Sequence, residues 1–394
     1  MKDVYILSAV RTPIGAFQGA LSGLSAVELG ARALAGACER AAVPPAAIEQ
    51  VYMGAVLTAG QGQAPARQAA LGAGCPVSTG AVTVGKVCGS AMRALMTAAN
   101  DLRCGDFSLV AAGGMESMSR APYLAAGARD GLRLGHGQLL DSMIHDGLWD
   151  PYNDTHMGTC AEQCADEFSF DREAQDGFAR ESYERARRAA ETGATAEEIV
   201  PVAVPRRKGD AEVIDRDEEP QRADFEKMAR LRPAFREGGT VTAANASKIN
   251  DGAAALVLAT GEAAAEHGVK PLARLVAQAS LAQAPEWFTT APALAVRKVL
   301  ERAGLAVADI DLWEVNEAFA VVGMAFLREL GLSHDVVNVR GGAVALGHPI
   351  GCSGARIVVT LLHAMRERGA KRGCAAICIG GGEATAVVVE RAGA

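Results

Sequence analysis

The sequence predicts an α/β protein made of two similar halves, with a charged loop domain inserted between parts of the first. Three observations carry that reading. Apolar strand-like runs alternate with helical patterns in the first and last thirds of the chain, which implies sheets with helical crossovers. Segments of the last third repeat segments of the first at nearly constant spacing. Between them, from Pro122 to Gly239, charge density rises and the strand pattern fades. At 394 residues and 49% hydrophobic composition the chain is long enough to bury a large core. With only 22% charged residues it does not have the composition of a disordered chain.

The elements follow in order. Val4–Ser8 and Gln50–Met53 read as strands, with a helix over Ala26–Ala42 between them. Ala91–Leu102 is apolar nearly all round and predicts a buried helix that opens just after Cys88. Leu109–Ala112 reads as a strand ending at Gly113-Gly114. In the middle stretch, Thr159-Cys160-Ala161-Glu162 has capping-box spacing and predicts a helix start. Asp171 predicts the cap of another helix, running to about Glu191 before Gly193. Trp149-Asp150-Pro151 and the charges of 206–236 read as solvated surface. The repeat is seen in three matches: Ile48–Val51 with Ile310–Trp313 (offset 262), Cys88–Ala91 with Cys352–Ala355 (264), and Ala111–Gly114 with Ile379–Gly382 (268). The implied division is 1–120 together with 249–271 as one half, 121–248 as the insert, and 272–394 as the other half. A duplicated α/β unit places two equivalent loop sets at one seam, where ligands bind.

Charge and cysteine usage exclude several classes. The net charge of −7 excludes a generally basic nucleic-acid surface. No apolar stretch reaches the ~18 residues of a membrane span, and Val4–Val10 reads as a first strand rather than a signal peptide. The nine cysteines are odd in number and form no C-x-x-C pair, so a zinc ribbon is not expected. A reduced, cytoplasmic protein fits best. Each cysteine is then a small core residue or a reactive thiol.

Four segments carry possible chemistry. Cys88 stands at a helix opening among small residues, where unpaired N–H groups stabilise a thiolate or an oxyanion. His348 stands between Gly347 and Pro349 on a constrained turn, suited to deprotonating a thiol or donating to a carbonyl oxygen. Cys378 precedes Gly380-Gly381-Gly382, glycines whose N–H groups suit a second oxyanion site. Asn316, with Glu317, lies at a strand-to-helix switch and can orient a water. Taken singly, each has a structural alternative: a core cysteine, a structural histidine, a strand cysteine before a turn, a helix cap. Together they place two cysteines, a histidine and an asparagine at glycine-rich junctions on both sides of one cleft. The chain has no G-x-G-x-x-G, P-loop or G-x-S-x-G motif, which argues against a dinucleotide oxidoreductase.

These segments resemble the thiolases over nearly the whole chain. The resemblance is carried by Val87–Ser90, Gly113–Ser119, Leu231–Phe235, Asn245–Ser247, Asn316–Ala320, Gly347–Gly351 and Cys378–Gly382. It implies a layered αβαβα fold. It also implies reversible condensation of two acetyl-CoA to acetoacetyl-CoA plus CoA, by ping-pong kinetics. By the same resemblance Cys88 is the acyl-accepting nucleophile, His348 its base, Cys378 the base for the α-proton, and Asn316 the holder of a water. The backbone N–H groups of Cys88 and Gly380 form the oxyanion site. Leu148, His156, Met157, Phe235, Ala246, Ser247 and Phe319 line the pantetheine and acyl pocket, with Arg222 toward the phosphates.

The resemblance further implies coenzyme A as co-substrate, no permanently bound cofactor, no metal, acyl-CoA substrates, and a homotetramer built as a dimer of dimers. Asp146–Asp150 followed by His156-Met157-Gly158 looks like the short-chain branch. The alternatives are a degradative thiolase for longer 3-ketoacyl-CoAs and a thiolase-like acyl-binding protein without turnover. The chain departs from the family's usual residues at Gly85, Ser90-Ala91, Ala244, Lys248 and Glu383-Ala384, with Gly common at 244 and 248. None of these removes a catalytic group.

Overall fold

The computed structural model describes residues 2–206 and 208–393. The main sheet contains β1 (Val4–Arg11), β2 (Gln50–Gly54), β3 (Gly80–Val84), β4 (Leu109–Ser117), β5 (Asn250–Thr260), β6 (Ala273–Ala282), β7 (Leu312–Val315), β8 (Arg372–Ile379) and β9 (Glu383–Arg391). The helices that matter for the site are α1 (Ala26–Arg40), α2 (Ser90–Cys104), α3 (Met157–Phe168), α4 (Arg172–Glu191), α5 (Ala291–Ala303), α6 (Ala320–Leu330) and α7 (Ser353–Arg368).

The strand order is β7-β8-β9-β6-β1-β5-β4-β2-β3. It reads the same way outward from its centre. On one side β1 and β5 pair antiparallel, β5 and β4 antiparallel, and β4, β2 and β3 parallel. On the other, β6 and β9 pair antiparallel, β9 and β8 antiparallel, and β8 and β7 parallel, with Val337 bridged parallel to Trp313 at the far edge. The halves meet where Tyr5 and Ile6 pair with Arg274 and Ala273.

The first two sequence matches fall on equivalent elements: the starts of β2 and β7, and the starts of α2 and α7. The third does not. Gln50 pairs with Val110 and Leu312 with Gly373, so β4 and β8 correspond at an offset of 263, not 268. Gly113-Gly114 lie inside a strand, whereas Gly380–Gly382 form the turn after one.

Three cores make the layers. In the central core α2 and α7 pack between the two sheet halves, against Ala254, Leu256 and Leu258 of β5 and Ala375 and Ile377 of β8. The alternate residues of the same strands face outward. Ala253, Ala255, Val257 and Ala259 meet α1, and Cys374, Ala376 and Cys378 meet α5 and α6. Two-residue alternation with both faces buried explains the continuous apolar runs. The αβαβα layering follows directly.

Several local expectations need correction. β4 does not end at Gly113 but continues to Ser117. A Cβ on Gly113 or Gly114 would lie 2.0 Å from the Ala254 carbonyl or 2.1 Å from that of Gly351. Those glycines permit close packing rather than a turn. Helix α3 starts at Met157, and its cap is His156, whose Nδ1 accepts from the Gly158 N–H at 3.0 Å. The Thr159 box is therefore not formed. Glu162 instead accepts from the Thr240 and Val241 N–H groups. Helix α4 is capped by Asp171 and ends at Glu191, as its sequence implies.

Asp150 is buried, accepting from the Tyr152 N–H and the Asn153 side chain at 2.8 Å each, so it is not solvated surface. Nor are all the charges of 206–236. Arg11 is fully buried, 2.6 Å from Asp217 and 2.8 Å from Glu198. Glu198 is in turn 3.1 Å from Arg340. These pairs tie the insert to both halves. No helix among the described residues is long and apolar enough to cross a membrane.

Candidate active site

Cys88 lies in a single 3₁₀ turn, Val87–Gly89, between β3 and α2. Val87 before it has a φ of 42°, a left-handed conformation that a β-branched residue rarely adopts. Such strain costs about 1–3 kcal/mol and persists only where the surroundings fix it. Ser90 does part of the fixing: its Oγ accepts from the Lys86 N–H at 2.8 Å and donates to the Val87 carbonyl at 2.7 Å. The result presents the Cys88 sulfur to a cavity of about 550 Å³.

His348 follows a four-residue helix, Ala343–Leu346, and Gly347. Gly347 has a φ of +107°, and a Cβ there would sit 2.3 Å from the Asn250 carboxamide. Only glycine fits. The same carboxamide accepts the His348 N–H at 3.0 Å. On the ring, Nδ1 lies 2.5 Å from Ser353 Oγ, which itself donates to the Pro349 carbonyl at 3.0 Å. A serine already donating must accept from Nδ1–H, which leaves the Nε2 lone pair free. Asn316 Nδ2 lies 3.4 Å from that Nε2.

Asn316 sits in the connection between β7 and α6 and does not cap the helix, which begins only at Ala320. Its Oδ1 is buried without a hydrogen-bond partner among the described residues. Cys378 is near the end of β8, fully buried, with Sγ 4.0 Å from the Asn316 carbonyl. The four sequence-derived residues therefore converge. Cys88 and His348 line the cavity, and Cys378 and Asn316 lie directly beneath its wall.

Burial sets the protonation states. It pushes the Cys88 thiol up to about 11, against the opposing pull of the Gly380 and Cys88 N–H groups. It drives His348 down to about 3, with the Arg356 charge adding to the effect. Cys378 is raised as well, by burial and then by its neighbour Cys88. The resting pair is a neutral thiol and a neutral imidazole. The thiolate expected from the helix start alone is outweighed by desolvation. A checkable consequence concerns iodoacetamide alkylation of the Cys88 peptide, followed by mass spectrometry. Its rate should climb steadily from pH 6 to pH 9, because the thiolate fraction keeps growing up to about 11. A plateau beginning below pH 7 would mean a preformed ion pair instead.

Every binding residue expected from the sequence lines the same cavity. His156 stacks on Phe235 at 4.8 Å, Phe235 meets Phe319 edge-on at 5.9 Å, and the three form one aromatic wall. Met157 opens α3. Its Sδ lies 3.8 Å from where a Cβ on Gly380 would stand, so the two are neighbours in the wall. Ala246 pairs with Phe319, and the Ser247 N–H donates to the Ala318 carbonyl at 2.9 Å. Leu148 and Arg222 complete the wall, Arg222 reaching Glu218 at 3.4 Å. A cavity of this size, with few polar groups, suits a pantetheine arm. The described residues contain no group of three or more His, Cys, Asp or Glu placed to hold a metal.

Sequence reasoning missed the supports behind these groups. Ser353 and Asn250 orient His348. Glu116 is buried and accepts from the Val56, Leu57 and Gly351 N–H groups, with burial raising its carboxyl to about 7. Glu317 accepts from Ser182, Asn338 and the Val344 N–H, and so joins the Asn316 connection to the His348 segment. Ser353 and Glu116 lie within motif segments read from the sequence, five residues after His348 and two after Gly114. That proximity was the available signal.

Residues 4–262 match the family described as Thiolase, N-terminal domain, and residues 269–391 match Thiolase, C-terminal domain. Acetyl-CoA acetyltransferase 2 of Arabidopsis thaliana is 52% identical over 391 residues, covering 99% of this chain and 97% of its own. A crystal structure of a thiolase from Ascaris suum in complex with coenzyme A is 48% identical, with a TM-score of 0.94 over 99% of this chain and 100% of that one. The acetyl-CoA acetyltransferase of Bacillus anthracis superposes with a TM-score of 0.97 at 41% identity over 99% of both chains. With both family domains matched in order and the fold shared at that level, the chain belongs to the thiolase family.

Proposed function

We propose that the chain is an acetyl-CoA C-acetyltransferase, interconverting two acetyl-CoA with acetoacetyl-CoA plus CoA. The observation that carries this reading is that Cys88 and His348 line one apolar cavity, with Cys378, from the opposite half, buried close to Cys88 behind the wall. In the first half-reaction the Cys88 sulfur attacks the thioester carbonyl while His348 Nε2 takes its proton. The carbon–sulfur bond to CoA breaks, CoA leaves with that proton, and the acetyl group stays on Cys88. Thioester-to-thioester transfer loses little free energy, so the step reverses easily.

In the second half-reaction Cys378 passes its proton to His348 Nε2 and, as the thiolate, takes an α-proton from a second acetyl-CoA. Desolvation keeps that thiolate high in energy and makes it a strong base. The enolate oxygen is held by His348 Nε2–H and by a water on the unpartnered Asn316 Oδ1. The enolate carbon attacks the acetyl carbonyl, whose oxyanion is received by the N–H groups of Cys88 and Gly380. Collapse releases acetoacetyl-CoA, the Cys88 sulfur takes the proton from His348 Nε2, and Cys378 keeps the one it took from the substrate.

Residues 121–248 serve as the lid over CoA, with 1–120 plus 249–271 and 272–394 as the paired halves. Arg222 faces the phosphates. Coenzyme A acts as co-substrate, with no permanent cofactor. A cytoplasmic homotetramer is the working form. Exposed Tyr123, Leu132, Leu134 and Leu139 on the insert support that assembly.

The test is a chain-length series of 3-ketoacyl-CoAs in thiolysis. Met157 stands beside Gly380 in the cavity wall, and each extra methylene forced against a packed wall costs about 1–3 kcal/mol. kcat/KM should therefore fall about tenfold or more from the four-carbon to the six-carbon substrate. A rise with chain length would replace this reading with the degradative one. No thiolysis of any substrate would leave an acyl-binding protein.

A further inference from the structure

The cavity wall contains a lysine that the mechanism does not use. Lys248 stands between the 550 Å³ cavity and an adjoining one of about 190 Å³, lining both. Its ammonium is bound to backbone carbonyls. Nζ donates to the Ala246 carbonyl at 2.8 Å and to the Val344 carbonyl at 3.2 Å, and lies 5.4 Å from the centre of the Tyr183 ring. Glu219 and Glu317 are the carboxylates that act on it.

The two carbonyls belong to different segments with different tasks. Ala246 is on the loop whose Ser247 bonds to Ala318, the wall along which a pantetheine arm would lie. Val344 is on the four-residue helix that leads through Gly347 to His348. The main chain of Lys248 adds a third tie, because its carbonyl accepts the His348 N–H at 3.3 Å. One residue thus grips the CoA-side loop and the segment carrying the base. An ammonium suits the position because it has several donors and no acceptor. Charge-assisted bonds to carbonyls are stronger than neutral ones.

We propose that Lys248 is a positioning residue, a half-buried cation that staples the Ala246–Ser247 wall to the His348 segment and fixes the approach of Nε2 to Cys88. This rests on CoA occupying the cavity as proposed above. Glycine, common here in the family, offers no such staple, so register in this chain depends on the side chain.

The test measures single-turnover acetylation of Cys88 by acetyl-CoA, read by intact mass, in the full-length protein. Lys248→Met keeps the apolar stem and removes the charge. Its maximal acetylation rate should fall about tenfold, the scale of one lost charge-assisted hydrogen bond. Lys248→Ala leaves room for a small cation, so methylammonium should restore most of the rate. Tetramethylammonium at equal ionic strength, which has no N–H, should not. A native rate in both variants would overturn the proposal, as would a slow Lys248→Ala that responds identically to the two cations. Native protein that takes up no acetyl group would overturn the site reading itself. Native protein that acetylates beside unchanged variants would overturn this proposal alone.

Discussion

Acetyl-CoA mixed with the Cys88→Ser variant is expected to leave the protein at its unmodified mass, while the native chain gains one acetyl group. The reason lies in proton affinity. The native thiol is already pushed up to about 11 in this pocket, and His348 is held down to about 3. Proton transfer from sulfur to Nε2 is therefore uphill, and it succeeds only because sulfur attacks as it is deprotonated. A serine hydroxyl is far less acidic and sits in the same desolvated place, so His348 cannot relieve it of its proton. Any oxyester that did form would be a poor acyl donor to an enolate. Turnover should fall by about 10⁴-fold or more, on the scale of losing an enzyme's nucleophile. Folding should be spared, since oxygen replaces sulfur in a part-exposed residue at a cavity wall. An acetylated serine, or native acetylation mapped to Cys378, would show that the nucleophile has been misplaced.

The candidate site was legible in the sequence because each residue proposed to act stands where the backbone does something unusual. Cys88 and His348 each adjoin a glycine, and there the reason is steric; Cys378 lies two residues before one. At Gly347 a side chain would strike Asn250, and at Gly89 it would strike Ile379. Periodicity also located the buried helix α2, because a helix in a central layer is apolar all round. What the sequence hid are relations across the fold. Ser353, Asn250 and Glu317 are ordinary polar residues until the chain closes and each faces one partner. The helix start predicted a thiolate at Cys88 because local sequence reports the helix dipole but not desolvation. Two of the three repeat matches were right because they rest on element starts. The third failed because glycines serve two different purposes, close packing in β4 and a turn after β8.

The Cys378→Ala variant separates the two half-reactions. Cys378 is wholly buried, outside the cavity wall, with its sulfur 4.0 Å from the Asn316 carbonyl and Cys88 as its charged-state neighbour. Nothing in the first half-reaction requires it, since Gly380 and His348 keep their places around Cys88. The variant is therefore expected to form the acetyl–Cys88 adduct at close to the native rate. The other titratable groups near Cys88 are occupied in the second half-reaction, Glu116 by three backbone N–H groups and His348 at the enolate oxygen. Condensation should fall by about 10²–10⁴-fold, the usual contribution of a positioned base. A parallel readout isolates the proton step: exchange of the acetyl-CoA α-protons in D₂O should stop while acyl transfer continues. A merely structural cysteine would give the opposite pattern. Removing one sulfur from a packed core loosens the site as a whole, so adduct formation and condensation would weaken together. Condensation at the native rate would move the α-proton to another group, and loss of the adduct would mean that Cys378 acts first on Cys88 rather than on substrate.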